Sequence, residues 1–198
     1  MSIRISVCGI EELAGHDRRA ITHVLSILDP GWPEPAALRG FAVDRRLKLH
    51  FHDVIEPLPG SIAPQRWDVE LLLAFGRGLG MIDGDGGGAA GEEPRHPHLL
   101  VHCHAGVSRS TAAAILILAQ RDPARPARDV VGEVLRVRPR AWPNLRMVEI
   151  GDALLGRDGE IVAAVRRLYR LVLDREPGLA AAMIEGGRGR EVAAAGER

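Results

Sequence analysis

Residue types that could handle a phosphate group are concentrated in the segment 103–109, which contains Cys103, Gly106 and Arg109. An apolar run at 98–102 precedes it and predicts a buried strand, and the apolar run at 110–120 predicts a buried helix. In a turn from a strand into a helix, backbone N–H groups can converge on an anion, and the helix dipole favours that ligand. We therefore expect an anion-binding turn here.

The side chains of this turn suggest what happens to the anion. Gly106 lets the backbone come close to a ligand, and the planar fork of Arg109 matches two phosphate oxygens. The same electropositive surroundings favour the thiolate of Cys103, and a thiolate beside a bound phosphoryl group is a nucleophile. A buried structural cysteine would explain neither the glycine nor the arginine at these offsets.

An acid is needed to protonate the leaving oxygen of a phosphomonoester, and Asp53 is the main candidate. It follows a predicted strand at 46–51, just before a loop rich in proline. Asp68 is the alternative, since it is closer to Cys103 in sequence, but it falls in a predicted helix and not in a loop. A solvated turn carboxylate is the simplest non-functional interpretation of Asp53.

The sequence HCHAGVSRST at 102–111 resembles the signature of the cysteine-dependent protein tyrosine phosphatase superfamily, and is most similar to its dual-specificity branch. The resemblance implies that Cys103 is the nucleophile, that Arg109 clamps the phosphate, and that Ser110 eases thiolate departure from a phosphocysteine. It assigns to Asp53 the roles of acid and later of base. It implies a phosphate-binding loop formed by His104, Ala105, Gly106, Val107, Ser108 and Arg109.

Further matches extend the resemblance over residues 20–155, including the segment 138–144. It implies that His102 orients the cysteine and that Asn144 braces the phosphate loop. Ile150 is a departure, because many dual-specificity members carry glutamine there to position the hydrolytic water. The spacing from Asp53 to Cys103 is also longer than is usual in the family, and a glycine-rich insertion accounts for the excess.

Length and composition favour one domain with an aliphatic core. The chain has 198 residues, of which 46% are hydrophobic and only 4% aromatic, so its core must be mainly aliphatic. We predict an α/β fold with a central, mostly parallel sheet flanked by helices on both faces, and with the phosphate loop at the carboxyl end of a strand. The catalytic domain is predicted over 1–175, with a surface insertion at about 82–97 and a flexible tail at 176–198.

Charge and targeting patterns limit the partners. Basic and acidic residues number 26 each, so no overall field favours nucleic acid or an anionic membrane. The sequence shows neither a secretory signal nor an apolar run long enough to span a bilayer, which predicts a cytoplasmic protein. The two cysteines, Cys8 and Cys103, exclude a disulfide framework. Whether Cys8 is a redox partner of Cys103 depends on the distance between them.

Histidines near Cys103 invite a metal interpretation, because histidine and cysteine are zinc ligands. They are His96, His98, His102 and His104. No second CxxC or HxxxH motif completes a site, and a ligated cysteine would lose its nucleophilicity, so we predict no metal and no cofactor.

The predicted function is hydrolysis of a phosphorylated protein or a small phosphomonoester. Phosphotyrosine is the first substrate class, with phosphoserine and phosphothreonine also open. The alternatives are a non-catalytic phosphate-binding module, or a sulfur-transfer or arsenate-reducing enzyme, which also use a cysteine in an anion loop. Intact Cys103, Ser110 and Asp53 argue against the first alternative, and the position of the loop argues against the second. The oligomeric state stays open.

Overall fold

The fold is taken from a computed structural model that describes residues 3–41, 43, 45–79 and 96–196. Within these residues a sheet of four parallel strands has the order β1-β4-β2-β3. The strands are β1 (Arg4–Cys8), β2 (His23–Leu28), β3 (Arg45–His50) and β4 (His98–His102). In the register, His102 lies beside Cys8 on one side and Ser26 on the other. The residues that follow β1, β2 and β4 therefore meet at one edge of the sheet.

The described part of the chain also contains helices after β3 and β4. They are α1 (Arg66–Arg77), α2 (Arg109–Arg121), α3 (Ala127–Val137), α4 (Leu145–Leu155), α5 (Glu160–Arg175), α6 (Leu179–Met183) and α7 (Gly189–Gly196). A π-turn at Ile184–Arg188 joins the last two. The predicted α/β fold with a parallel sheet is confirmed.

The two faces of the sheet are covered unequally. Alternate strand residues such as Val7, Leu25 and Val101 belong to the main core, which the long helices complete. Val24 and Leu100 belong to a smaller cluster on the other face, which is covered by 3₁₀ helices at Ile10–Gly15 and Ala36–Gly40. The helix that composition indicates at 11–20 is thus only a short 3₁₀ turn.

Helix α1 buries a different face from the one that its sequence spacing predicts. Trp67, Leu71 and Phe75 share a stripe that predicts a buried face, yet Trp67 is 56% and Leu71 46% exposed. A Cβ on Gly76 would lie 2.8 Å from Oε1 of Gln120 and 3.2 Å from Ile117, both in α2. This close approach sets the rotation of α1, so the neighbouring stripe that includes Leu72 is buried instead.

The segment after residue 176 differs from the predicted flexible tail, because residues 179–196 are helical and packed against the domain. Glu191 is fully buried, and its carboxylate accepts hydrogen bonds from Trp142 Nε1 (2.5 Å) and Leu145 N (2.9 Å). These two donors give the segment a fixed docking place. The predicted insertion at 82–97 lies outside the described residues except for residues 96–97.

In the described ranges, no helix is both long and apolar enough to cross a bilayer.

Candidate active site

The predicted anion-binding turn leads from β4 into α2. Gly106 has a φ of +71°, and a Cβ on it would lie 2.3 Å from the carbonyl carbon of Cys8. Both facts require glycine, because a side chain would be strained and would overlap the end of β1. On the same side, Ile10 N donates to the carbonyl oxygen of His104 at 2.9 Å. The turn is therefore packed tightly against the end of β1.

The thiol of Cys103 is enclosed by the turn and is 2% exposed. Its Sγ accepts a hydrogen bond from Gly106 N at 3.3 Å and lies 3.2 Å from the hydroxyl oxygen of Ser110, which is fully buried. Donors to sulfur stabilise a thiolate and also a departing thiolate. Within the described part of the chain, the backbone N–H groups of Ala105, Val107 and Ser108 have no acceptor, so they are available to an anion.

Arg109 is the first residue of α2, and one edge of its guanidinium group is fixed by hydrogen bonds. Its Nη1 donates to Asp29 Oδ1 and to the carbonyl oxygen of Phe51, both at 2.6 Å. Its Nε is buried and has no partner among the described residues, which leaves that edge of the guanidinium for a phosphate oxygen.

Asp29 is a further side chain of the candidate site that the sequence analysis did not single out. Its sequence DPG suggests only a turn. The available signal is its position directly after β2, which the sheet order places beside β4 and its loop. In that position its carboxylate reaches Arg109 and lies 3.6 Å from His104 Nε2.

The two histidines of the motif have different surroundings. His102 is fully buried, its Nε2 lies 2.7 Å from Ser26 Oγ, and burial lowers its pKa to about 4. The ring is therefore neutral at neutral pH, and any influence on Cys103 is not that of a cation. Burial also lowers the pKa of His104, whose ring packs edge-on against Trp32 with centroids 4.4 Å apart.

Asp53 and Cys103 line the same cavity of about 550 Å³, together with Arg109. The Oδ1 atom of Asp53 accepts hydrogen bonds from Ser108 Oγ (2.7 Å), Asn144 Nδ2 (2.9 Å) and Arg188 Nη1 (3.2 Å). The structure thus brings the first acid candidate to the cysteine.

Asp68, the alternative acid, lies elsewhere. It is in the first turn of α1, where its Oδ2 accepts a hydrogen bond from Gln65 N at 2.8 Å. Burial raises the pKa of this carboxyl group. Asp68 is not among the residues that line the cavity of Cys103, and its contacts are those of a helix N-terminus.

Asn144 contacts both the turn after β4 and the segment that carries Asp53. Its backbone N–H donates to the carbonyl oxygen of Ser108 at 3.3 Å, but its side chain donates to Asp53 and to the carbonyl oxygen of Val54. The phosphate loop itself is held by Arg138, which donates to the carbonyl oxygens of Gly106 (2.9 Å) and Ala105 (2.8 Å).

Two further positions can be placed. Ile150 packs against the main core and does not line the cavity. Cys8 belongs to the small cluster on the face opposite to the core of Cys103, and burial raises its pKa to about 12. Both cysteines are free thiols, and Cys8 pairs in the sheet register with His102, the residue before Cys103. In the described ranges no three His, Cys, Asp or Glu side chains converge as a metal site.

Comparison with known proteins places this geometry in a fold class. No family model and no curated protein matches the chain. Among solved structures, Tk-PTP in its active form is 21% identical, with a TM-score of 0.51 over 78% of this chain and 92% of that one. The Cydia pomonella PTP-2 phosphatase is also 21% identical, with a TM-score of 0.53 over 76% and 84%.

A third similar structure is the human tyrosine phosphatase-like serine/threonine/tyrosine-interacting protein. It is 19% identical, with a TM-score of 0.50 over 76% of this chain and 87% of that one. The chain therefore has the fold of the tyrosine phosphatases, as its motif predicts.

Proposed function

We propose that this protein is a cysteine-dependent phosphatase that hydrolyses phosphomonoesters through a phosphocysteine on Cys103. One observation carries the proposal: Cys103 Sγ accepts a hydrogen bond from Gly106 N in a loop whose N–H groups of Ala105, Val107 and Ser108 have no acceptor among the described residues, and Asp53 lines the same cavity. The resemblance of 102–111 to the phosphatase signature and the shared fold support it.

In the first step the phosphate oxygens are bound by the loop N–H groups and the free edge of Arg109. The thiolate of Cys103 attacks phosphorus, so that an S–P bond forms while the bond to the leaving oxygen breaks. Asp53 gives its proton to that oxygen, which avoids the release of a poor alkoxide or phenoxide. Phosphocysteine and an alcohol or phenol result.

In the second step the carboxylate of Asp53 takes a proton from water, and the oxygen of that water attacks phosphorus. The S–P bond breaks and inorganic phosphate is released. The departing thiolate is stabilised by Ser110 Oγ and Gly106 N, the same groups that contact the resting sulfur. Asp53 returns to its acid form. The loop N–H groups and Arg109 stabilise the negative charge of the phosphate, so the mechanism needs no metal.

The cavity favours a substrate with an apolar body. Val172, Leu179 and Met183 line it, together with Arg140 and Arg175. The ring of a phosphotyrosine in a protein can pack against such apolar side chains, and phosphoserine, phosphothreonine and small phosphomonoesters share the reacting group. Both cysteines are free thiols, which suits a reducing compartment such as the cytoplasm.

The test is p-nitrophenyl phosphate hydrolysis between about pH 5 and pH 8 in EDTA, with wild type, Cys103→Ser and Cys8→Ser compared. We expect Cys103→Ser to lose activity at least about 10³-fold while it still binds inorganic phosphate, because only the nucleophile is removed. Cys8→Ser is the matched control and should keep its turnover, since Cys8 lies in the other cluster.

Two outcomes contradict the proposal. Turnover that persists in Cys103→Ser excludes a phosphocysteine on that residue. Reduced wild-type protein that binds phosphate without any turnover is instead a binding module, and assays with thiosulfate and arsenate then test the remaining anion chemistry.

A further inference from the structure

One arginine of the C-terminal segment, Arg188, contacts the candidate acid. Arg188 follows the kink at Gly187, and its side chain is only 11% exposed. Its Nη1 lies 3.2 Å from Asp53 Oδ1, and its Nη2 donates to Ser108 Oγ at 3.0 Å. One guanidinium thus contacts both the candidate acid and the phosphate loop.

The position of Arg188 is determined by Glu191, one helical turn further on. Nε donates to Glu191 Oε2 at 2.7 Å and Nη2 donates to Oε1 at 2.8 Å. Glu191 is itself immobilised by Trp142 Nε1 and Leu145 N. Burial opposes the charge of Arg188, but the carboxylates of Glu191 and Asp53 raise its pKa above the ordinary value, so it remains a cation.

The contacts at Asp53 are all on one oxygen. Ser108, Asn144 and Arg188 each donate to Oδ1, and no hydrogen bond to Oδ2 is formed within the described residues. When Asp53 is a neutral acid, its proton must therefore be on Oδ2, because Oδ1 already accepts three donors. Oδ2 is then the oxygen that can give a proton to a leaving group.

We propose that Arg188 is a positioning residue that holds Asp53 with its proton-bearing oxygen toward the leaving group, so that the C-terminal segment is part of the catalytic apparatus. This inference rests on the proposed phosphatase function. Substrate binding is a poorer role for Arg188, because its donors are already used in four hydrogen bonds to Glu191, Asp53 and Ser108.

A positioning role predicts a loss that depends on the leaving group. Phenyl phosphate needs a proton as its phenoxide leaves, whereas p-nitrophenoxide leaves with little help. An acid contributes about 10²–10⁴-fold to such a step. We expect Arg188→Met to lower kcat for phenyl phosphate about 10- to 100-fold and for p-nitrophenyl phosphate less than about 3-fold, with KM nearly unchanged for both.

The control is Arg66→Met, which removes an exposed cation from α1. Arg66 pairs with Glu70 at 2.8 Å and is not among the residues that line the cavity of Cys103. It should keep the wild-type ratio of the two substrates. The double variant Asp53→Asn, Arg188→Met should be no slower on phenyl phosphate than Asp53→Asn alone, because Arg188 acts through the acid.

If Arg188→Met fails to fold because Glu191 is left as an unpaired buried charge, Arg188→Met combined with Glu191→Gln removes both charges and takes its place. Equal losses on the two substrates, or a further loss in the Asp53→Asn background, would overturn the inference. Failure of the proposed function is a separate result: Cys103→Ser would retain turnover, or wild type would have none.

Discussion

At the scale of single residues, Asp29 is the clearest addition to the site. Its Oδ1 accepts a hydrogen bond from Nη1 of Arg109 at 2.6 Å. The carbonyl oxygen of Phe51 accepts a second hydrogen bond from the same nitrogen atom. A guanidinium anchored at one edge loses little freedom when its other edge binds phosphate. We therefore expect Asp29 to orient Arg109 for the binding of phosphate.

We predict that Asp29→Ala lowers kcat/KM for p-nitrophenyl phosphate about 10- to 100-fold, because misplacement of a binding group by about 1 Å can cost that much. Steady-state kinetics on purified protein measure the effect. Asp17→Ala is the control, since the carboxylate of Asp17 accepts a local hydrogen bond from Arg19 N at 3.0 Å and does not line the cavity of Cys103. Equal kcat/KM for Asp29→Ala and wild type would remove Asp29 from the site.

At the scale of elements, the phosphate loop depends on how closely β4 and β1 end together. Cys8 pairs with His102 in the register, and the loop that follows crosses the end of β1 at Gly106. A local sequence pattern can indicate the loop, but the close contact arises from the pairing of two strands that are far apart in sequence.

Gly106→Ala should abolish activity and lower the melting temperature, because its φ is +71° and its Cβ would lie 2.3 Å from the Cys8 carbonyl carbon. Gly156→Ala is the matched control: its φ is +63°, but nothing lies within 4 Å of a Cβ there. The control should cost only the strain of a left-handed residue, about 1–2 kcal/mol, and keep its turnover. Circular dichroism melts and p-nitrophenyl phosphate assays measure both effects. Similar behaviour of the two variants would show that the contact with β1 is unimportant.

At the scale of the whole molecule, buried neutral histidines make stability depend on pH. His102 has a pKa near 4 because it is buried, whereas its ordinary value is 6.5. Between these values the unfolded chain binds a proton that the folded protein does not, so acidification favours unfolding. Burial lowers the pKa of His98 as well, in the same direction.

We predict that the free energy of unfolding falls as the pH decreases from about 6.5 to about 4. In His102→Gln the fall should be smaller, because one of the responsible groups is gone. Urea unfolding at about pH 7 and about pH 5 measures it. His96→Gln, at an exposed position, should keep the wild-type dependence. An identical fall in His102→Gln and wild type would contradict this explanation.

The parts of the site that are local in sequence were predictable. Cys103, Gly106, Arg109 and Ser110 lie within a few residues of each other, so their spacing indicates an anion loop before any fold is known. The strands and long helices also follow from apolar periodicity, because each pattern is contained in one element. Asp53 was placed near the loop by the family resemblance together with its position at the end of a predicted strand.

Only the tertiary structure determined which side chains support those residues. Arg188 is 135 positions from Asp53, and Asp29 is 80 positions from Arg109. The docking of the C-terminal helices, predicted as a flexible tail, depends on the buried contacts of Glu191 with Trp142 and Leu145. Such contacts follow from strand order and helix docking, and these depend on packing between distant elements, which no local pattern encodes.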